Sequence, residues 1–287
     1  MKPFEYFEPR TVREARQILS DYGEKAQILA GGIDLIPRMQ KGDIRAEYVV
    51  NIQKIPDLER IEPDGKEGIT LGAMSKLRSI EMSGAIQSKY PILYEAIHQI
   101  TSVQAKYMGT AVGNLCVATP ASDVATSLFA LGAQLKITGP KGERIELIEK
   151  FYVDYRRTSL KRGEMVTAVF LPNPPPGTGT AFFNLVRTSA DIAKISAAAA
   201  ISVQNGICRE VRIAIGAAAP VVFRAVKTET LFTGQKITPE VIREAAETAA
   251  GETKPITDLR STAMYRKEMA RVLVKRALEK ALEKAKG

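Results

Sequence analysis

The sequence predicts an α+β protein of two domains, and three observations carry that prediction. Its 287 residues correspond to about two domains at roughly 150 residues each. Segments of helical and of strand period alternate as far as Leu171. A proline-dense break follows, and beyond it come three strand-like segments with a hairpin signal between the last two. A content of 45% apolar and 25% charged residues is that of ordinary globular protein.

The elements follow in order. Thr11 is an N-cap and Glu14 completes a capping box, so a helix runs to Tyr22. Residues 27–30 form an apolar strand that ends at Gly31-Gly32, and residues 47–52 and 68–72 read as further strands. Helices are expected over 76–83 and 91–100. Residues 133–138 lead into the turn Gly139-Pro140-Lys141-Gly142 and begin a hairpin, and 164–171 is a strand.

Pro172, Pro174, Pro175 and Pro176 then forbid helix and deny donors to a central strand, which marks a domain junction. After it, 181–187, 197–204 and 211–216 are strand-like, and Asn205-Gly206 signals a type I′ turn. Three antiparallel strands are expected. Thr238 caps a helix over 241–250 with Pro239 at its first position, and an amphipathic helix closes the chain. There is no internal repeat or low-complexity segment.

Composition excludes much chemistry. With one His (His98), two Cys (Cys116 and Cys208) and no Trp, the chain cannot build a His-ligated metal centre, a Ser/His/Asp triad, or a zinc or iron-sulfur site. Any redox chemistry must be borrowed. The cysteines are too far apart for a CxxC motif and read as reduced thiols, and His98 reads as an exposed helical residue off the apolar stripe. The N-terminus lacks an apolar signal core and no run approaches the ~18 apolar residues of a membrane span, so a cytoplasmic chain without membrane insertion is expected.

The net charge is +9, and residues 260–287 hold nine basic against three acidic residues, so +6 of it lies there. A packed terminal helix with a solvated basic face is favoured over a phosphate-binding stripe. A single aromatic residue, Tyr265, lies among these charges, which is no interleaved pattern, and no nucleic-acid partner is expected.

Two stretches could hold a ligand. Ala30-Gly31-Gly32-Ile33-Asp34 follows an apolar strand, where bare glycine backbone can present N–H groups to a phosphate or simply turn. Residues 109–123 combine small residues, hydroxyls and a terminal carboxylate. They read either as a ligand loop or as a packed loop in which Asp123 caps a helix over 124–131.

Together these stretches resemble the FAD-binding medium subunit of the molybdenum hydroxylases, the xanthine dehydrogenase and aerobic carbon monoxide dehydrogenase family. The resemblance is carried by residues 4–10, Ala30 to Leu35, Val50-Asn51-Ile52 before Ile55-Pro56, and residues 69–73. It continues through Gly113-Asn114, Thr119-Pro120-Ala121-Ser122-Asp123, and Phe182, Arg187 and Asp191-Ile192-Ala193. It implies an FAD domain of the vanillyl-alcohol-oxidase (PCMH) type over 1–173, in two parts of about 1–57 and 58–173. A smaller domain of three antiparallel strands and helices would span 177–287.

By the same resemblance, Ile28, Leu29, Ala30, Gly31, Gly32, Ile33 and Asp34, with Thr110, Ala111, Val112, Gly113 and Asn114, cradle the FAD pyrophosphate. Thr119 and Asp123 join the site, Asp123 on the ribose side. Met165 or Val166 brackets the adenine or the flavin, and Ile192 lies near the isoalloxazine ring. No side chain of this chain is implied as catalytic. The implied partners are a large molybdopterin subunit, a small subunit with two two-iron clusters and a terminal electron acceptor. Two departures predict weaker FAD binding: Val112 stands where the family usually has a glycine, and Phe183 where it often has a lysine. A stand-alone flavin reductase on the same fold, or an assembly subunit without FAD, remains the alternative.

Overall fold

A computed structural model describes residues 1–65 and 67–286, with only the backbone of Lys286. Gly287, the last residue of the expected second domain, lies outside them. The chain begins β1 (Glu5–Phe7), α1 (Val12–Tyr22), β2 (Ala26–Leu29), α2 (Leu35–Lys41) and β3 (Tyr48–Asn51). Thr11 Oγ1 accepts from the Glu14 N–H at 3.1 Å, and the Glu14 carboxylate accepts from the Arg10 N–H at 2.8 Å, so the capping box closes one residue further out than the usual pattern. The strands form a parallel sheet in the order β1-β3-β2. β1 is too short to show a period in the sequence, and its pairing with β3 is what makes it a strand.

Next come β4 (Ile61–Asp64), β5 (Gly68–Gly72) and five short helices: α3 (Leu77–Met82), α4 (Gly84–Lys89), α5 (Pro91–His98), α6 (Val103–Met108) and α7 (Ala111–Cys116). They are followed by α8 (Asp123–Leu131), β6 (Gln134–Gly139), β7 (Gly142–Leu147), α9 (Ile148–Phe151), β8 (Tyr152–Asp154), β9 (Arg157–Thr158) and β10 (Met165–Pro172). An antiparallel sheet runs β4-β5-β10-β6-β7. Its central strand, β10, is buried over Met165 to Val169 and ends at Pro172, where a missing N–H costs least. One core joins this sheet to α3, α5, α7 and α8, and it includes Ala26 and Val50 from the parallel sheet and Ile52 just after it.

The last third contains β11 (Thr178–Leu185), β12 (Ile195–Gln204), β13 (Ile207–Gly216), β14 (Phe223–Arg224), α10 (Val226–Phe232), α11 (Pro239–Glu252) and α12 (Ala263–Lys286). The three expected strands are the long ones, and a two-residue fourth strand extends the antiparallel sheet along β13. Asn205 and Gly206 have φ of 53° and 76°, the two left-handed residues that a type I′ turn demands.

This sheet is buried on both faces, which explains its alanines. Ala197, Ala199, Ile201, Ile213 and Ile215 face a second core with α10, α11 and α12, whereas Phe182, Ala198 and Ala214 face the first core. α12 lies so close that a Cβ on Gly179 would sit 1.9 Å from the Ala281 carbonyl oxygen. Its buried stripe is Ala270, Leu273, Val274, Ala277, Leu278 and Ala281. Of the nine basic residues near this end, Arg260, Arg266, Arg271, Lys275, Lys280 and Lys284 pair with carboxylates. No helix among the described residues is long and apolar enough to cross a membrane.

Candidate functional site

A cleft of about 830 Å³ opens where the β2–α2 segment of the parallel sheet faces α7, the β8–β9 turn and the start of β10. That volume lies within the range of small-molecule and cofactor sites. Ile28, Ala30, Gly31, Gly32, Ile33 and Asp34 line one side. Thr110, Val112, Gly113 and Asn114 line the other, and Met165 and Val166 join them from β10. The two stretches singled out in the sequence, some 80 residues apart, therefore meet across one cavity.

They meet at Gly31. A Cβ there would lie 2.0 Å from the Met108 carbonyl oxygen and 2.9 Å from Gly109 Cα, so only glycine lets the two segments touch. The loop is braced from behind. Tyr6 Oη accepts from Asn51 Nδ2 at 2.6 Å, Asn51 Oδ1 accepts from the Gln53 N–H at 3.0 Å, and Gln53 Nε2 donates to the Ala30 carbonyl at 2.6 Å. Among the hydrogen bonds of the described residues, none uses the N–H groups of Gly31, Gly32, Ile33 or Asp34. Four consecutive donors on a cavity wall suit an anionic ligand such as a diphosphate.

Residues 109–116 are not an open loop. Thr110 Oγ1 accepts from the Gly113 N–H at 2.9 Å and starts α7, whose small residues hide their helical period in the sequence. Val112 is the second residue of that helix and is absent from the positive-φ positions, so its backbone does not require glycine, and its side chain lines the cleft. Phe183 packs half-buried on the second core and does not line the cleft. Ser122, not Asp123, caps α8: its Oγ accepts from the Ala125 N–H at 2.9 Å, and Asp123 is the first helical residue.

Five expected site residues do not line the cleft: Leu29, Ala111, Thr119, Asp123 and Ile192. Successive strand residues face opposite ways, so Ile28 meets the cleft while Leu29 packs on Met39, Ala46 and Val49. Ala111 is fully buried in the main core. Asp123 Oδ2 accepts from Asn184 Nδ2 at 2.8 Å, and burial pushes its carboxyl up to about 6 against the opposing pull of Asn184 and Ser196. Ile192 is 51% exposed on a loop whose Ser189 carbonyl accepts from Thr101 Oγ1, next to Ile100 of the cleft wall.

The structure adds two arginines that sequence reasoning missed. Asp34 pairs with Arg38 at 3.1 Å and with Arg156 at 3.5 Å, and all three line the cleft. The four-residue spacing of Arg38 was readable once α2 was known to be a helix; Arg156 carries no local signal. Cys116 also lines the cleft, and Cys208 is buried. His98 has an exposed side chain, stacks on Tyr94 and meets Glu81 at 2.9 Å through Nδ1, away from the cleft. Among the described residues no cluster could hold a metal ion.

Comparison with known proteins identifies the family. Residues 2–174 match the FAD binding domain in molybdopterin dehydrogenase, and residues 180–281 the CO dehydrogenase flavoprotein C-terminal domain. The chain is 32% identical to the carbon monoxide dehydrogenase medium chain of Afipia carboxidovorans, over 99% of this chain and 98% of that one. It is 26% identical to the xanthine dehydrogenase FAD-binding subunit of Escherichia coli O157:H7, over 98% and 97%. Among solved structures, carbon monoxide dehydrogenase from Hydrogenophaga pseudoflava superposes with a TM-score of 0.95 at 32% identity, covering 99% of both chains. With both family models matched in order and relatives aligned end to end, the chain belongs to the family of FAD-binding medium subunits of the molybdenum hydroxylases.

Proposed function

We propose that this chain holds FAD non-covalently in the cleft and serves as the electron-transfer subunit of a molybdenum hydroxylase complex. A large molybdopterin subunit would oxidise the substrate, and a small subunit with two two-iron clusters would deliver the electrons. A terminal acceptor would take them up, in the cytoplasm. The observation that carries the reading is the run of four uncommitted N–H groups in Gly31 to Asp34, residues that line the cleft opposite α7. When bound, FAD supplies a carrier that exchanges electrons singly or in pairs.

The residues of this chain bind, orient and exclude water. Gly31 to Asp34 would hold the pyrophosphate, with Thr110 to Asn114 opposite. The buried side chains of Met165 and Val166, together with Ile28 and Val112, make an apolar lining for a ring system. From outside the cleft lining, Thr119 before α8 and Asp123 at its first position would serve the ribose side, and Ile192, on a loop tethered beside Ile100, would approach the isoalloxazine ring from the rim.

The test is the visible spectrum of the purified chain, with and without added FAD, followed by co-purification with the products of neighbouring genes. A yellow protein with flavin bands, associating with molybdopterin- and iron-containing partners, is the expected outcome. A chain that binds no flavin would end this reading, and one that binds flavin but no partner would favour the stand-alone reductase.

A further inference from the structure

We infer that Arg156 is the counter-ion through which the cleft grips a diphosphate. This rests on the reading of the cleft as the FAD site and adds a residue to it. Arg156 stands in the turn between β8 and β9 with φ of 55°, a conformation uncommon outside glycine. Its N–H donates to the Ala118 carbonyl at 2.9 Å, which fixes the turn against the end of α7.

The side chain is positioned but largely unspent. Nε donates to Tyr155 Oη at 3.2 Å, and the guanidinium lies 5.6 Å from the centroid of the Tyr155 ring. Nη1 is shut off from solvent, 3.5 Å from Asp34 Oδ1, without a hydrogen bond. That carboxylate is already engaged by Arg38. Two guanidinium groups thus share one carboxylate, which leaves a positive charge on the cleft wall beside the free N–H groups of Gly31 to Asp34. A planar fork of donors next to backbone N–H groups matches the two-phosphate link of a dinucleotide, and a guanidinium can take two phosphate oxygens at once.

The competing role is a clamp in which Arg156 merely ties Asp34 to the opposite wall. Titration of the full-length protein, freed of flavin, with FAD, ADP and riboflavin separates the two, using Arg156→Met and Arg156→Lys. For a counter-ion, Arg156→Met weakens FAD and ADP about 10- to 100-fold, the worth of a charge-assisted hydrogen bond, and leaves riboflavin, which has no phosphate, within about twofold. Arg156→Lys falls between, and the gap from wild type narrows as salt is raised.

FAD and ADP affinities within about twofold of wild type in Arg156→Met would overturn the inference, as would an equal loss for riboflavin, the signature of a clamp. A wild-type protein that takes up ADP but not FAD would refute the FAD reading and leave Arg156 to be judged by the ADP arm. One that takes up neither would refute both.

Discussion

Replacing Gly31 with alanine tests whether the two walls of the cleft need bare backbone where they touch. Gly31 has no positive φ, so alanine meets no conformational penalty and the whole effect comes from space. The added methyl would fall 2.0 Å from the Met108 carbonyl oxygen and 2.8 Å from its carbon. Relief requires a separation of about 1 Å or more, because carbon and oxygen need over 3 Å. The Met108 side cannot give way: the Gly109 N–H donates to the Ala105 carbonyl at 2.8 Å and the Gly109 carbonyl accepts from the Leu77 N–H at 2.9 Å. The strain therefore falls on the segment whose N–H groups form the proposed cradle. Overpacking of this kind costs about 1–3 kcal/mol. Divided between fold and site, it lowers the urea midpoint and weakens FAD by up to about 100-fold, each 1.4 kcal/mol being roughly tenfold. Gly84→Ala is the control, since a methyl there meets nothing within 4 Å at ordinary φ. A Gly31→Ala protein with wild-type midpoint and wild-type FAD affinity, measured by quenching of flavin fluorescence, would refute the reasoning.

Three further outcomes follow from the structure. Thr110→Ala removes the cap of α7 and should cost about 0.5–2 kcal/mol in urea unfolding, with Thr110→Ser restoring most of it. Glu81 is buried; desolvation raises its carboxyl, but hydrogen bonds from Lys106, Arg78 and His98 outweigh that and hold it near about 2. Its contribution is therefore present above the ordinary carboxylate range and lost as pH falls toward about 2. Glu81→Ala, which strands the buried Lys106, should cost about 3–5 kcal/mol, and pairing it with Lys106→Met should recover much of this. Asp123 has the opposite sign: with a folded pKa of about 6 against about 3.9 unfolded, it favours folding more as pH drops from above 6 to 4. In flavin-free protein, Asp123→Asn should flatten that rise when midpoints are compared across the interval, and an unchanged slope would show that another group causes it.

What the sequence made legible was whatever local chemistry decides. Thr11 with Glu14, the Asn205-Gly206 turn, Thr238-Pro239 and the apolar stripe of the last helix each state their structure within a few residues, and each is found there. Gly31-Gly32 was legible as a turn, but its close approach to Met108 was not, because the partner lies 77 residues away. The stretch from Thr110 to Cys116 failed for a different reason. Its residues are nearly all small, so helical periodicity leaves no mark, and one hydroxyl at Thr110 decides the matter. Arg156 was invisible because an arginine in a two-residue strand connection resembles any surface arginine until the fold brings Asp34 beside it.

The position of the cleft explains how a chain with so few reactive side chains can be specific. The parallel sheet owns little core: Met39, Ala46 and Val49 on its outer side, with its inner side borrowed from the main core. A layer with so little burial of its own is the part of the molecule that opens most readily. The cleft runs along that seam, with backbone donors on the thin layer and α7, Arg156 and β10 on the thick one. A ligand that satisfies both walls adds bonds across this boundary, so occupancy would stabilise the layer that forms half of the site. On the proposed reading, shape complementarity and unspent backbone donors would supply selectivity for a ligand that spans the seam with an anionic link, without side-chain catalysis from this subunit.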